Sequence, residues 1–145
     1  MTGRAASPAV LLDTCAVIWL ATKAPIASEA GKRMVEAAMA GAIFVSPISA
    51  WEIGLLSRPK PSPIHQFLPD PATWFARFMA GPGLRPAPFT AQIAIAASRL
   101  PEPLHGDPAD RLLIATARDM NLPIVTRDRK IIDYADAGHV SIVAC

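Results

Sequence analysis

Short apolar runs alternate along this chain with longer segments of helical periodicity. Val10-Leu11-Leu12 reads as a buried strand that stops at Asp13. Thr14 is placed to cap a helix over 16–21, which Pro25 breaks. From Ser28, Ala30, Met34, Ala37 and Ala38 recur opposite Glu29, Lys32, Arg33 and Glu36, an amphipathic helix that Gly41 ends. A second strand is expected over 42–45. Ser46-Pro47 then joins an N-cap to a proline at the first helical position, opening a helix with Trp51, Glu52, Ile53, Leu55 and Leu56.

The stretch 58–69 holds four prolines and is expected to be irregular. Asp70-Pro71 opens another helix, whose apolar face is Trp74, Phe75, Phe78 and Met79; Gly81-Pro82-Gly83 stops it. Pro86 and Pro88 restrict any strand over 84–88 to a sheet edge. Thr90 caps an alanine-rich helix ending before Pro101. Asp107-Pro108-Ala109-Asp110 combines cap, proline and acid in the strongest helix start of the chain. That helix runs to Met120, with Asn121 as its left-handed end. A strand over 124–126, a helical piece over 130–134 and a last strand over 140–143 follow. Strands alternating with helices, with no hairpin signature, predict an α/β fold: a parallel sheet of four to five strands flanked by helices.

With 145 residues, 52% of them hydrophobic, the chain can bury one core without staples. One domain is expected, with residues 1–8 flexible. The net charge of +2 is too small to mark a nucleic-acid binder. Cys15 and Cys145 form no CxxC pair, so a structural zinc site is not expected, and Cys15 reads as a small buried hydrophobe. The apolar run over 15–21 is far short of a bilayer span. Arg4 before apolar residues has the outline of a secretion signal, but Asp13 interrupts it. A cytoplasmic protein without a membrane partner is expected.

The interest lies in where the twelve acids fall. Asp13 and Asp128 stand just beyond the carboxyl ends of predicted strands, the edge where open parallel sheets bind ligands. Glu52 lies a turn or so into the helix after the second strand and can reach that edge. Asp107 and Asp110 open a helix that points at it. Carboxylates gathered this way raise one another's pKa and call for a positive partner. Hard divalent cations, Mg²⁺ or Mn²⁺, suit oxygen ligands, and the chemistry that follows is metal-assisted attack of water on a phosphodiester. Each acid also has a plainer use. Asp13 and Asp107 are fit for N-caps, Asp110 for the positive end of a helix dipole, Glu52 for an exposed helix face and Asp128 for a surface turn.

Other chemistries fail on inspection. A haloacid-dehalogenase-type phosphatase needs a second Asp two residues after the first, where this chain has Cys15. Dinucleotide, P-loop and nucleophile-elbow glycine motifs do not occur. His65, His105 and His139 fall in predicted loops without a visible positioning partner for metal-free acid–base cleavage.

Leu11-Leu12-Asp13-Thr14, Ser49-Ala50-Trp51-Glu52-Ile53, the segment from Asp107 to Ala115, and Thr126-Arg127-Asp128 together resemble the PIN-domain family, and within it the VapC toxins of type II toxin–antitoxin pairs. The likeness runs from Leu11 to Val143 with the motifs in order. It implies an Mg²⁺- or Mn²⁺-dependent endoribonuclease, a homodimer and a cognate antitoxin occupying the active-site groove. Asp13, Glu52, Asp110 and Asp128 match the family's acidic quartet, with Asp13 and Asp110 as direct metal ligands. Glu52 acts through water or on the nucleophile, and Asp128 completes a weaker second site. Thr14 and Thr126 support the carboxylates, and Asp107 is a cap with a possible metal role. Arg111, Arg127 and Arg129 are the candidate RNA contacts. His105-Gly106-Asp107-Pro108-Ala109-Asp110-Arg111 departs from its relatives in having Ala109 where they carry an aromatic residue.

Trp19, Trp51 and Trp74 are expected in core packing, with base stacking as the alternative. The face of Trp74, Phe75, Phe78 and Met79 fits either core or a partner surface. Two competing functions remain: a catalytically silent PIN-like module that binds RNA or protein, and a metal nuclease or phosphatase acting on DNA.

Overall fold

A computed structural model describes residues 7–58, 66–104 and 106–145. Among them, five parallel strands form one sheet: β1 (Val10–Leu12), β2 (Ile43–Val45), β3 (Leu84–Pro86), β4 (Ile124–Thr126) and β5 (Ile142–Ala144). The spatial order is β3-β2-β1-β4-β5. The chain steps outward from β1 to β3, then returns to lay β4 on the other side of β1. The β1/β4 boundary is therefore the point where strand order reverses, and ligand crevices open beyond the strand ends there.

Strand side chains alternate between two cores. Val10 and Leu12 join Val45 and Val125 in a cluster with α1 (Thr14–Thr22) and α2 (Ser28–Met39). Leu11 and Ile124 face the other way, into a cluster with α5 (Ala91–Ser98), α6 (Pro108–Met120) and α7 (Arg129–Asp136). Both cores are buried, and this makes the central strands continuous apolar runs rather than alternating ones. Two further helices, α3 (Pro47–Leu56) and α4 (Pro71–Met79), follow β2. β3 lies at the sheet edge, where its prolines are tolerated. Gly83, just before it, has φ +81° and lies so close to the α2 backbone that an added Cβ would stand 2.6 Å from Ala38 Cα.

Local cap chemistry sets most helix starts. Ser46, Asp70, Thr90, Asp107 and Asp128 each accept a backbone N–H in the first turn of the following helix. Lys23 and Asn121 end α1 and α6 in the left-handed conformation. One expected cap is displaced: Asp13, not Thr14, caps α1, and Thr14 is its first helical residue. An Asp one position earlier already satisfies the orphan N–H of Ala16, which releases the Thr14 hydroxyl for a longer-range bond. The expected flexibility of residues 1–8 and the irregularity of 58–69 fall largely on positions outside the described residues, as do His65 and His105. Among the described residues, no helix is long and apolar enough to cross a membrane.

Candidate active site

The carboxyl ends of β1, β2 and β4 deliver their next residues to one edge. Asp13 follows β1 directly and is 5% exposed. Its Oδ1 accepts from Ala16 N at 2.7 Å, and its Oδ2 accepts from the Thr126 hydroxyl. Thr126 is fully buried at the end of β4, so this bond crosses the β1/β4 boundary and joins residues 113 apart in sequence. Thr126 Oγ1 also accepts from Asp128 N at 2.9 Å, which ties the start of α7 to the same point. Asp128 in turn caps α7 through Lys130 N at 2.8 Å.

Glu52 reaches the edge from α3. Its Oε1 accepts from the Thr14 hydroxyl, whose oxygen also lies 3.1 Å from Ser49 Oγ. A hydroxyl carries one proton. With the Thr14 proton on the Glu52 carboxylate, Ser49 donates to Thr14, and the three side chains form a chain. Ser49, buried three residues before Glu52, belongs to the same motif, but the motif by itself gives it no role. Its i, i+3 spacing on one helix face was the available signal.

Asp110 stands half-buried at the third position of α6, and its backbone N–H donates to the exposed cap Asp107 at 3.1 Å. The electrostatics bind the acids into one group. Burial pushes the Asp13 carboxyl up to about 6, against its hydrogen bonds from Thr126 and Ala16, and Asp110 and Asp128 push it further the same way. Glu52 is also raised, first by burial and then by Asp110, Asp107 and Asp13, while the bond from Thr14 acts the other way. The charges prominent in the surroundings of both acids are other carboxylates. Among the described residues, no three His, Cys, Asp or Glu side chains are already drawn close enough to enclose an ion. The set is nonetheless all oxygen, acidic and mutually repelling, a donor chemistry that fits a hard divalent cation.

Two expectations about neighbouring residues are corrected. Cys15 is exposed, not buried, because the second position of α1 faces the carboxylate edge. Partial burial and then the four acids Asp13, Glu52, Asp128 and Asp110 push its thiol up to about 11. Trp51 is 54% exposed beside Glu52, since Ile48 and Ile53 supply the buried side of α3. Trp19 and Trp74 are half-buried against the first core, where Trp74 meets Phe67 edge-on and stacks on Phe78. The three candidate RNA-binding arginines diverge. Arg111 Nε donates to Ala97 O at 3.1 Å and its guanidinium lies 3.9 Å from Glu102. Arg127 is engaged by Cys145 O, Pro25 O and the Trp19 ring. Arg129 pairs with Asp133 on the exposed face of α7.

Removing the Thr126 hydroxyl tests this arrangement. Thr126→Val keeps the shape but leaves Asp13 Oδ2 and Asp128 N–H without their shared partner. Chemical denaturation is expected to show a loss of about 1–3 kcal/mol. An NMR titration should place Asp13 higher than in the wild type, because a bond that favours the ionised form is lost. Unchanged stability together with an unchanged titration would remove Thr126 from the site.

A profile of the PIN domain matches residues 10–137, nearly the whole chain and all five acids. The chain belongs to the PIN-domain family. Ribonuclease VapC22 of Mycobacterium tuberculosis (strain ATCC 25618 / H37Rv) is 30% identical over 133 residues, covering 92% of this chain and 97% of that protein. This makes the chain a VapC-like PIN domain. Its fold is also that of chains in solved complexes. The structure of VapBC2 from Rickettsia felis bound to a DNA fragment from their promoter matches with a TM-score of 0.63 at 14% identity, over 93% of this chain and 97% of that one. DNA-bound VapBC from Salmonella typhimurium matches with 0.59 at 16% identity, over 94% and 97%. FitAB bound to the IR36 DNA fragment matches with 0.59 at 20% identity, over 93% and 94%.

Proposed function

We propose that this PIN domain is a metal-dependent endoribonuclease, the toxin of a type II toxin–antitoxin pair. One observation carries the reading: at the β1/β4 edge of a PIN fold, Asp110 and Asp128 act on Asp13, and Asp110 and Asp13 act on Glu52, although the four are far apart in sequence. A pure RNA-binding module has no use for gathered carboxylates beside a polyanion. The relative named a ribonuclease and the neighbours solved as VapBC complexes support the same reading.

Asp13 and Asp110 are the residues that would hold Mg²⁺ or Mn²⁺, with Asp128 beside them at a weaker position and Asp107 at the margin. Bound there, the cation supplies Lewis-acid polarisation of the scissile phosphate and eases deprotonation of water. Glu52, held by Thr14, is placed to orient the attacking water and take its proton. Thr126 holds Asp13 with one oxygen facing the cap and one facing β4. The RNA, the antitoxin and a second copy of the chain are the partners. Exposed apolar residues offer area for the protein partners: Trp51 and Leu55 on α3, Ile95 on α5, and Val35 and Met39 on α2. An apolar cavity of about 360 Å³ lined by Leu20, Met34, Val35, Phe78 and Leu84 adjoins the α2 residues.

Purified protein incubated with total cellular RNA is expected to give a few discrete fragments with Mg²⁺ or Mn²⁺ and none with chelator. Equal cleavage in chelator would overturn the metal-dependent reading. Cleavage of DNA in preference to RNA would favour the DNA nuclease instead.

A further inference from the structure

We propose that Arg127 is a positioning residue of the acidic site, a latch that fixes Asp128 relative to Asp13, and not a contact for RNA. The proposal rests on the metal-site reading above. Arg127 sits between Thr126, which holds Asp13, and Asp128, which caps α7. Its guanidinium is used on two edges and one face. Nε donates to Cys145 O at 3.2 Å, Nη2 donates to Pro25 O at 3.1 Å, and its central carbon lies 3.7 Å from the centre of the Trp19 ring. These contacts belong to three different parts of the fold: the residue after β5, the connection between α1 and α2, and α1 itself.

The consequence lies in what α1 carries. Asp13 caps α1 at one end, and Trp19 is on the same helix. The Cys145 N–H donates to Thr126 O at 3.1 Å, so the residue before Arg127 is already pinned to the β5 side. Arg127 closes the remaining freedom, tying the turn from β4 into α7 against α1. Asp13 and Asp128 repel each other, and Thr126 bridges them, its hydroxyl donating to Asp13 and accepting from the Asp128 amide. A planar guanidinium that bridges two main-chain oxygens and lies over an indole can resist that repulsion; a lysine ammonium cannot reproduce the geometry. Two of the three contacts are to main-chain oxygens, so Trp19 is the contact that a side-chain substitution can loosen.

The test compares wild type with Arg127→Ala, Arg127→Lys and Trp19→Leu, the last of which keeps the Arg127 charge and loosens its seat. Three quantities are read. They are hydrogen exchange at the Asp128 amide without metal, Mn²⁺ affinity by calorimetry, and the salt dependence of binding to a single-stranded RNA oligonucleotide in chelator. All three variants are expected to speed exchange at Asp128 and to weaken Mn²⁺ binding about 10-fold or more, the scale for losing a residue that orients a ligand. The salt slope of RNA binding is expected to stay at the wild-type value. A slope smaller by about 0.7 in Arg127→Ala, restored in Arg127→Lys, would make Arg127 a phosphate contact and overturn the proposal. Faster exchange with unchanged Mn²⁺ affinity would reduce it to an ordinary packing contact, which also overturns it. A wild type that binds no Mn²⁺ would defeat the metal-site reading before any variant is compared, and the latch role with it.

Discussion

Asp110→Asn is expected to lower RNA cleavage on the order of 10³-fold, the scale on which losing one charge-stabilising group disables a site, while the protein stays folded. Asn has nearly the shape of Asp, and the Asp107 cap bonds the residue 110 backbone, which the substitution leaves alone. The charge at the third position of α6 favours the helix dipole by about 0.3–1 kcal/mol. Its removal also relieves repulsion on Asp13 and Glu52, so the two effects oppose each other. What is lost outright is one of the two acids assigned as direct ligands. Calorimetry should show weaker Mn²⁺ binding alongside the lost cleavage. A second signature needs no metal: the Asp13 titration should move down from about 6, because Asp110 helps to raise it. Equal cleavage by wild type and variant would mean a contaminating nuclease or a mechanism that bypasses the quartet.

Asp13→Asn is expected to abolish activity and yet stabilise the metal-free protein at neutral pH. The carboxyl is ordinarily ionised above 3.8, but in the fold it ionises only near 6. Below 3.8 it is protonated in both folded and unfolded chains and makes no difference. Between 3.8 and about 6 the unfolded chain ionises first, so stability falls as pH rises; above 6 the loss is complete and constant. At about 1.36 kcal/mol per pKa unit, that loss is on the order of 3 kcal/mol. Asn keeps the oxygen that caps α1, and the Thr126 hydroxyl can accept from its amide. Thermal unfolding at pH 7.5 without metal should therefore rise by several °C, with little change at pH 4. Mn²⁺ should stabilise the wild type and not the variant, since only binding to the folded form shifts unfolding. Metal binding by the wild type should weaken as pH falls below about 6, where a proton on Asp13 competes. A variant less stable than wild type at pH 7.5 would show that Asp13 is held as a favourable charge rather than a strained one.

Much of this protein could be read from neighbouring residues. The apolar run before Asp13, the proline-and-cap signatures at Ser46, Asp70 and Asp107, and the left-handed Asn121 all act within one helical turn or one strand. Their spacing was enough for the α/β class and for most element boundaries. It was also enough to place Asp13 and Asp128 at strand ends, because a residue's position after a strand is a local property. The capping use legible for Asp13 and Asp107 holds in the fold, while Asp128, which reads from sequence as a turn residue, also caps a helix.

Other features depended on which elements meet. The Thr14–Glu52 bond joins residues 38 apart, Thr126–Asp13 spans 113, and Arg127 reaches Pro25 across 102. Only the return of the chain to lay β4 beside β1 brings those partners together. Cys15 and Trp51 sit in apolar sequence and were expected to be buried; which side of α1 and α3 finds a neighbour decides otherwise. Arg127, flanked by two site residues, looks from sequence like a hand held out to RNA. In the fold its guanidinium is turned back to two main-chain oxygens and an indole. Hydrophobic period and capping are short-range forces and leave their mark in adjacent residues. The direction of a long polar side chain is set by whatever topology places within its reach, and no local pattern encodes that.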